Sequence, residues 1–295
     1  MTQTDPSHPE IESFFHKDTG TWTHVVHDGE AAAIIDPVLD YDAAAARTST
    51  ASSDKLLALV RDHALRVAWI LETHAHADHL SAAGYLHEAL GVPVAIGRGI
   101  VAVQAHFKQV FGLGDEFVAD GSQFDRLLDD GDTLAIGSLS VRAVATPGHT
   151  ADSLAYVVGD AAFIGDTLFA PDIGTARCDF PGGDATQLYA SIRRLLALPD
   201  ATRLFLCHDY PSAARPEPSR ETSIAAQTQG NVQIGGGVDE DAFVAKRRAR
   251  DATLSVPRLL LPALQVNIRG GRLPPADADG HAYLRLPLNR IGVKS

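Results

Sequence analysis

Residues 73–79 read Thr73-His74-Ala75-His76-Ala77-Asp78-His79, one residue after the apolar run Val67-Ala68-Trp69-Ile70-Leu71. The apolar run reads as a buried strand. Alternate side chains of an extended segment share a face, so His74 and His76 can converge on one ion. Asp78 and His79 can then turn in from the start of the next segment. Four nitrogen and oxygen ligands this close together, separated by small alanines and fed by a buried strand, fit a metal centre better than a solvated loop.

Working outward, three more candidate ligands end apolar runs. His149 lies in Thr146-Pro147-Gly148-His149-Thr150, Asp166 in Gly165-Asp166-Thr167-Leu168-Phe169, and His208 in Cys207-His208-Asp209-Tyr210. Each alone reads as a surface or turn residue; together they sit at C-terminal strand ends, where α/β sites gather. Around them the pattern predicts hairpins at 21–35, 133–145 and 153–164. It predicts helices at 53–65 (capped by Ser53 or Asp54), 80–90, 98–111, 185–198, 220–229 and 238–251 (capped by Asp239), with 43–50 as loop or frayed helix. Strand clusters alternate with helices without a regular βαβ repeat, which points to a layered α/β sandwich.

Composition bounds the function. The chain has 295 residues, 25 lysines and arginines against 37 aspartates and glutamates, and a formal net charge of −12. Such a balance argues against nucleic-acid binding, which wants a basic face. The first 15 residues lack the basic start and apolar run of a secretory signal. No apolar run reaches the roughly 20 residues of a membrane span. Two cysteines, Cys178 and Cys207, cannot staple a fold of this size. A cytoplasmic protein that binds no nucleic acid or membrane is expected. Thirteen histidines stand out, but His8, His16, His24, His27, His63, His87, His106 and His281 have no ligand context and read as surface or core residues.

Taken as a series, these motifs resemble the metallo-β-lactamase superfamily over roughly residues 21–210. That resemblance implies an αββα sandwich, here as a catalytic domain at 1–235 with a C-terminal extension at 236–295, packed on the core or at a dimer interface. Within the superfamily, residues 73–80, GDTLFAPDIGTARCDF (165–180) and 207–210 look like a bacterial persulfide dioxygenase. DPVLDY (36–41), GSQF (121–124) and the tail 236–274, with VDEDAF and PALQVNIR, are similar to its longer subgroup. Carried over residue by residue, the resemblance implies a single Fe(2+) on His74, His149 and Asp166, two imidazoles and a carboxylate, as in non-haem iron oxygenases. It implies oxidation of glutathione persulfide by O2 to sulfite and glutathione, probed against an alternative. His76, Asp78, His79 and His208 either surround that ion or complete the dinuclear zinc site of a glyoxalase II-like hydrolase of glutathione thioesters.

Glutathione carries two carboxylates, so an acidic protein needs a local cation. Arg177 is the candidate, its alternative role being an ion pair with Asp179. The resemblance also implies a substrate role for Tyr210. Cys178 and Cys207 read as small buried residues rather than nucleophiles, and Lys246-Arg247-Arg248 as a solvated helix face. Leu259, Leu260, Leu261 and Leu264 would be costly to expose and need a packing partner, the chain's own core or a second copy in a homodimer.

Overall fold

The computed structural model describes residues 8–291. The first sheet is built by β1 (Glu10–His16), β2 (Thr21–His27), β3 (Ala31–Ile35), β6 (Arg66–Leu71), β8 (Val94–Gly97) and β9 (Arg126–Leu128), in that order. Between them come β4 (Val38–Asp42), β5 (Arg47–Ser49) and β7 (Leu80–Ser81), which form a small separate sheet, and the helices α1 (Ala51–Asp62), α2 (Ala83–Leu90) and α3 (Ile100–Phe111). The second sheet runs in order from β10 (Thr133–Ile136) through β11 (Leu139–Ala145), β12 (Leu154–Val158), β13 (Ala161–Phe163) and β14 (Arg203–Phe205) to β15 (Glu221–Ser223). Its helices are α4 (Ala185–Leu195), α5 (Ile224–Gly230) and α6 (Glu240–Asp251); α7 (Leu260–Asn267) follows and returns to the first sheet's side.

The two-residue period of the strands sorts their side chains into layers. In β3, Ala32 and Ile34 join an apolar cluster with Leu56, Leu86 and Phe107 of α1, α2 and α3. Ala31, Ala33 and Ile35 face the other way, onto Ile136, Tyr156, Phe163 and Phe205 of the second sheet. From that sheet Ala155, Ala162 and Leu204 point outward to Leu188 and Ile192 of α4 and Ile224 of α5. Helices, sheet, sheet and helices thus make the expected αββα sandwich.

Strand direction then places the site. β11 and β13 each pair antiparallel with β12, and β14 pairs parallel with β13. β11, β13 and β14 therefore run the same way and deliver His149, Asp166 and His208 to one edge. The turn before His149 is possible only with glycine: Gly148 has φ +135°, and a Cβ there would lie 2.3 Å from the backbone of Leu188.

Some local expectations are overturned. Residues 47–49 form β5 against β4 rather than loop or helix. Residues 221–223 extend the second sheet before α5 begins, because they pair with β14. β7 precedes α2, which therefore starts later than residue 80. Helix α1 starts at Ala51, ahead of both suggested caps; Ser53 donates instead to the Val38 carbonyl at 3.1 Å. Asp239 does cap α6, accepting from the Ala242 amide.

The C-terminal segment has no core of its own. Phe243 of α6 is in the same cluster as Leu188, Ile192 and Leu204. Leu260, Leu264 and Ile268 join the helical layer of the first sheet. Residues 1–7 and 292–295, the ends of the two segments expected from the sequence, lie outside the described residues. This sharing predicts that Phe243→Ala lowers the stability of the whole chain by about 3–5 kcal/mol, with one cooperative transition in urea. Two separate transitions would show that the extension folds alone.

Candidate metal centre

The loop between β6 and β7 carries the first ligands and has no regular structure, so side chains must satisfy its backbone. Asp36, buried in the turn after β3, accepts from the Thr73 amide at 2.7 Å and the Thr73 hydroxyl at 2.9 Å. Asp36 holds φ at +51°, a left-handed conformation that aspartate tolerates better than most side chains. Asp152 accepts from the Ala75 amide at 2.8 Å, and the Tyr156 hydroxyl donates to the Glu72 carbonyl at 2.7 Å.

Every histidine of the centre engages one ring nitrogen outside it and turns the other inward. His149 Nδ1 donates to the Arg177 carbonyl at 2.7 Å. His79 and His208 Nδ1 lie 3.4 and 3.3 Å from the Thr21 hydroxyl, His74 Nδ1 lies 3.0 Å from the Thr73 hydroxyl, and His76 Nε2 donates to Asp36 at 3.0 Å. The carbonyl and carboxylate partners place a proton on His149 Nδ1 and His76 Nε2, and the hydroxyl contacts orient the other rings. The inward atoms, His74 Nε2, His76 Nδ1, His79 Nε2, His208 Nε2, Asp78 Oδ2 and Asp166 Oδ1, are buried with no hydrogen-bond partner among the described residues. Leaving a buried polar atom unpaired costs about 1–3 kcal/mol. Six aimed at one place are the chemistry of a metal centre, so the residues present fit a bound ion.

Two ligand sets can be read. His74, His149 and Asp166 form one; His76, Asp78, His79 and His208 form the other. Asp166 faces both: Oδ2 lies 3.9 Å from His74 Nε2 and 3.6 Å from His149 Nε2, and Oδ1 lies 3.5 Å from His208 Nε2. Burial, reinforced by the neighbouring imidazoles, pushes His74 well below the ordinary histidine value and His79 down to about 4. Both are therefore neutral at pH 7, as ligation requires. Burial would raise the Asp78 carboxyl, but His208 and His79 outweigh it and hold it well below the usual range. His76 behaves oppositely: burial pulls it down, but Asp36 and Glu72 together raise it well above its ordinary value.

All seven ligand candidates thus come together. Arg177 does not arrive as expected: its guanidinium forks onto Asp179, with Nη2 at 2.7 Å, and Nη1 donates to the Ser255 carbonyl at 2.7 Å. Its carbonyl, not its charge, touches the centre. Tyr210 is half-exposed and stacks on His208 at 6.3 Å and 9°. It lines a cavity of about 350 Å³ that opens onto Asp78, His149 and Asp166. The basic run on α6 is a solvated face only at Lys246 and Arg248, which are exposed. Arg247 is buried, paired with Asp251 at 2.6 Å and donating to the Thr175 carbonyl. Arg250, a residue the sequence did not single out, lines the metal cavity, and no hydrogen bond or ion pair engages its guanidinium among the described residues. Asp36, Glu72, Asp152 and Thr21 were also missed, although Asp36 and Glu72 are acidic residues abutting apolar strands. Burial raises both thiols, Cys178 to about 12 and Cys207 well above its usual value, which leaves them unreactive.

Comparison with known proteins agrees with this geometry. The sequence pattern of the metallo-beta-lactamase superfamily matches residues 16–208. The chain is 54% identical over 294 residues to a probable metallo-hydrolase of Burkholderia pseudomallei, covering 95% of this chain and 99% of that one. It is 50% identical over 283 residues to a beta-lactamase hydrolase-like protein of Agrobacterium fabrum, covering 95% of this chain and 65% of that longer protein. It is 31% identical over 206 residues to the mitochondrial persulfide dioxygenase ETHE1 of Bos taurus, covering 68% of each. Among solved structures, ETHE1 from Myxococcus xanthus superposes with a TM-score of 0.71 at 29% identity, covering 89% of this chain and all of that one.

Because Asp166 faces both ligand sets, Asp166→Ala should reduce total bound metal below the level left by either His149→Ala or His208→Ala, measured by elemental analysis. Equal losses in all three would show that the sets do not share it. The native protein should also leave Cys178 and Cys207 unmodified by a chromogenic disulfide reagent at pH 8, with both reacting on unfolding.

Proposed function

The chain belongs to the metallo-beta-lactamase superfamily, and from that premise we propose that it is a mononuclear non-haem iron dioxygenase acting on glutathione persulfide. The persulfide anion, O2 and water give glutathione and hydrogen sulfite. The observation that carries the proposal is the set His74, His149 and Asp166, of which His149 and Asp166 line the cavity. Two imidazoles and a carboxylate on one side of an ion leave the rest of its sphere to substrate, a pattern suited to iron and O2. Similarity to a persulfide dioxygenase and to the ETHE1 structure supports the same reading. Iron supplies the redox chemistry when bound, which zinc cannot.

The chain's own residues do the rest. The sheltered side of its ring, with the charges of Asp78 and Asp166, pushes the Tyr210 phenol up although the residue as a whole is half-exposed, so it stays protonated and can donate to a sulfur anion in the cavity. Phe169, Ile173, Leu254 and Pro257 keep the remaining wall apolar. Arg177 and Arg247 are neutralised by Asp179 and Asp251, which leaves Arg250 as the cavity cation for a glutathione carboxylate. A second reading, a dinuclear zinc hydrolase of glutathione thioesters, is favoured by the unpartnered atoms of His76, Asp78, His79 and His208 and by similarity to a probable metallo-hydrolase.

Metal quantification after anaerobic purification, followed by an oxygen electrode, separates the two. The proposal expects one iron per chain and O2 uptake that requires glutathione persulfide. Two zincs with thioester hydrolysis and no uptake by the iron-loaded protein would replace it with the hydrolase. On either substrate Arg250→Ala should raise KM about 10-fold or more with kcat little changed, the effect of losing a charge-assisted hydrogen bond. Arg177→Ala should instead lower stability.

A further inference from the structure

Side chains hold the backbone of the metal loop. Tyr156 holds Glu72, Asp36 holds Thr73 and Asp152 holds Ala75, all in its first half. The backbone of its second half, which carries His76, Asp78 and His79, is held from the C-terminal segment. Asn267, the last residue of α7, donates Nδ2–H to the His76 carbonyl at 2.7 Å and to the His79 carbonyl at 2.8 Å, and its Oδ1 accepts from the Ser81 amide at 2.8 Å. The side chain is buried, 4% exposed. Three of the four hydrogen bonds an amide can make are therefore spent on the backbone of one loop.

Asn267 is itself fixed. Leu260, Leu264 and Ile268 anchor one side of its helix and Leu259, Ala263 and Val266 the other. Gln104 donates to the Ile268 carbonyl at 2.8 Å. The chain then turns through Gly270 and Gly271, both in the left-handed region. A Cβ at Gly271 would lie 2.7 Å from the Gly84 amide nitrogen and 2.9 Å from that of Ala83. The turn is pressed against the start of α2, immediately beyond the loop, and only glycine fits there.

We infer that Asn267 is a positioning residue for the metal centre: the C-terminal segment sets the spacing of the His76 and His79 ligands through this amide. Asn267 touches no ligand ring and no reacting atom; it fixes the backbone from which two imidazoles project. Outer contacts of this kind typically govern 10–100-fold in metal affinity. The inference concerns the second ligand set, and so rests on that set holding an ion, whichever reaction the centre performs.

The test is metal affinity of the full-length apo protein, titrated with Co(II) against a chromophoric chelator, alongside apo thermal melts. Asn267→Ala should weaken Co(II) binding by about 10-fold or more and shift its visible absorption bands. Asn267→Asp keeps the acceptor for Ser81 but turns a carboxylate oxygen toward the two carbonyls, so it should bind more weakly still. Asn267→Ser, with one donor, should fall between Ala and the native protein. Phe243→Ala, on α6 and in a different apolar cluster from α7, should lower the apo melting temperature while leaving affinity and spectrum unchanged. Native Co(II) affinity and spectrum in Asn267→Ala or Asn267→Asp would overturn the inference. So would equal weakening by Phe243→Ala, which would reduce the effect of Asn267 to general destabilisation.

Discussion

The buried Asp36 carboxylate is the contact on which the metal edge depends. It sits where β3 ends, accepts two hydrogen bonds from Thr73 and one from His76, and is 2% exposed. A carboxylate out of water is costly unless its lone pairs are used. Here they are used by the loop that carries the ligands, so desolvation of Asp36 and order in the loop are one event. Burial alone would raise this carboxyl; His76 and Thr73 bring it below its ordinary value instead. Glu72, which approaches the same His76 Nε2 at 3.3 Å, is raised by burial. The two acids beside His76 Nε2 are thus unequal: Asp36 takes its hydrogen bond and is held below the usual range, and Glu72 is pushed above it.

The ligands were legible because strand geometry writes them locally. His74 and His76 are two apart, and His149, Asp166 and His208 each close an apolar run, so the signal lies within a few residues of each one. The hairpin at 133–145 was legible for the same reason. What the sequence hid is what depends on distant partners. Residues 221–223 have helical neighbours and become strand only because β14 offers an edge. Arg247 looks like part of a solvated run, yet Asp251 lies one turn on and lets the pair be buried together. Arg177 and Arg250 are chemically alike; Asp179, two residues from Arg177, decides which of them is free. Asn267 carries no local mark at all, since its partners are 186 to 191 residues away.

The charge distribution follows a consistent rule. The chain carries a formal net charge of −12, yet the cavity wall gathers Arg177, Arg247 and Arg250 around Asp78 and Asp166. The Asp78 and Asp166 carboxylates belong to the ligand cluster, and Asp179 and Asp251 neutralise Arg177 and Arg247. Arg250 is left as a cationic side chain on the cavity wall, and screening confines the effect of the distant surface charge to about 10 Å.

The division of labour within the chain explains why one ligand set can serve different chemistries. The sandwich supplies the imidazoles and carboxylates, which its strand ends fix in place. The C-terminal segment supplies Arg250, Leu254 and Pro257 to the cavity wall and Asn267 to the loop. A change in α6 would alter what the cavity admits without moving a ligand. A change at Asn267 would alter the spacing of the second ligand set without altering the cavity's charge. Cavity charge and loop support thus rest on two different contacts of the same segment, and the ligand motifs alone reveal neither.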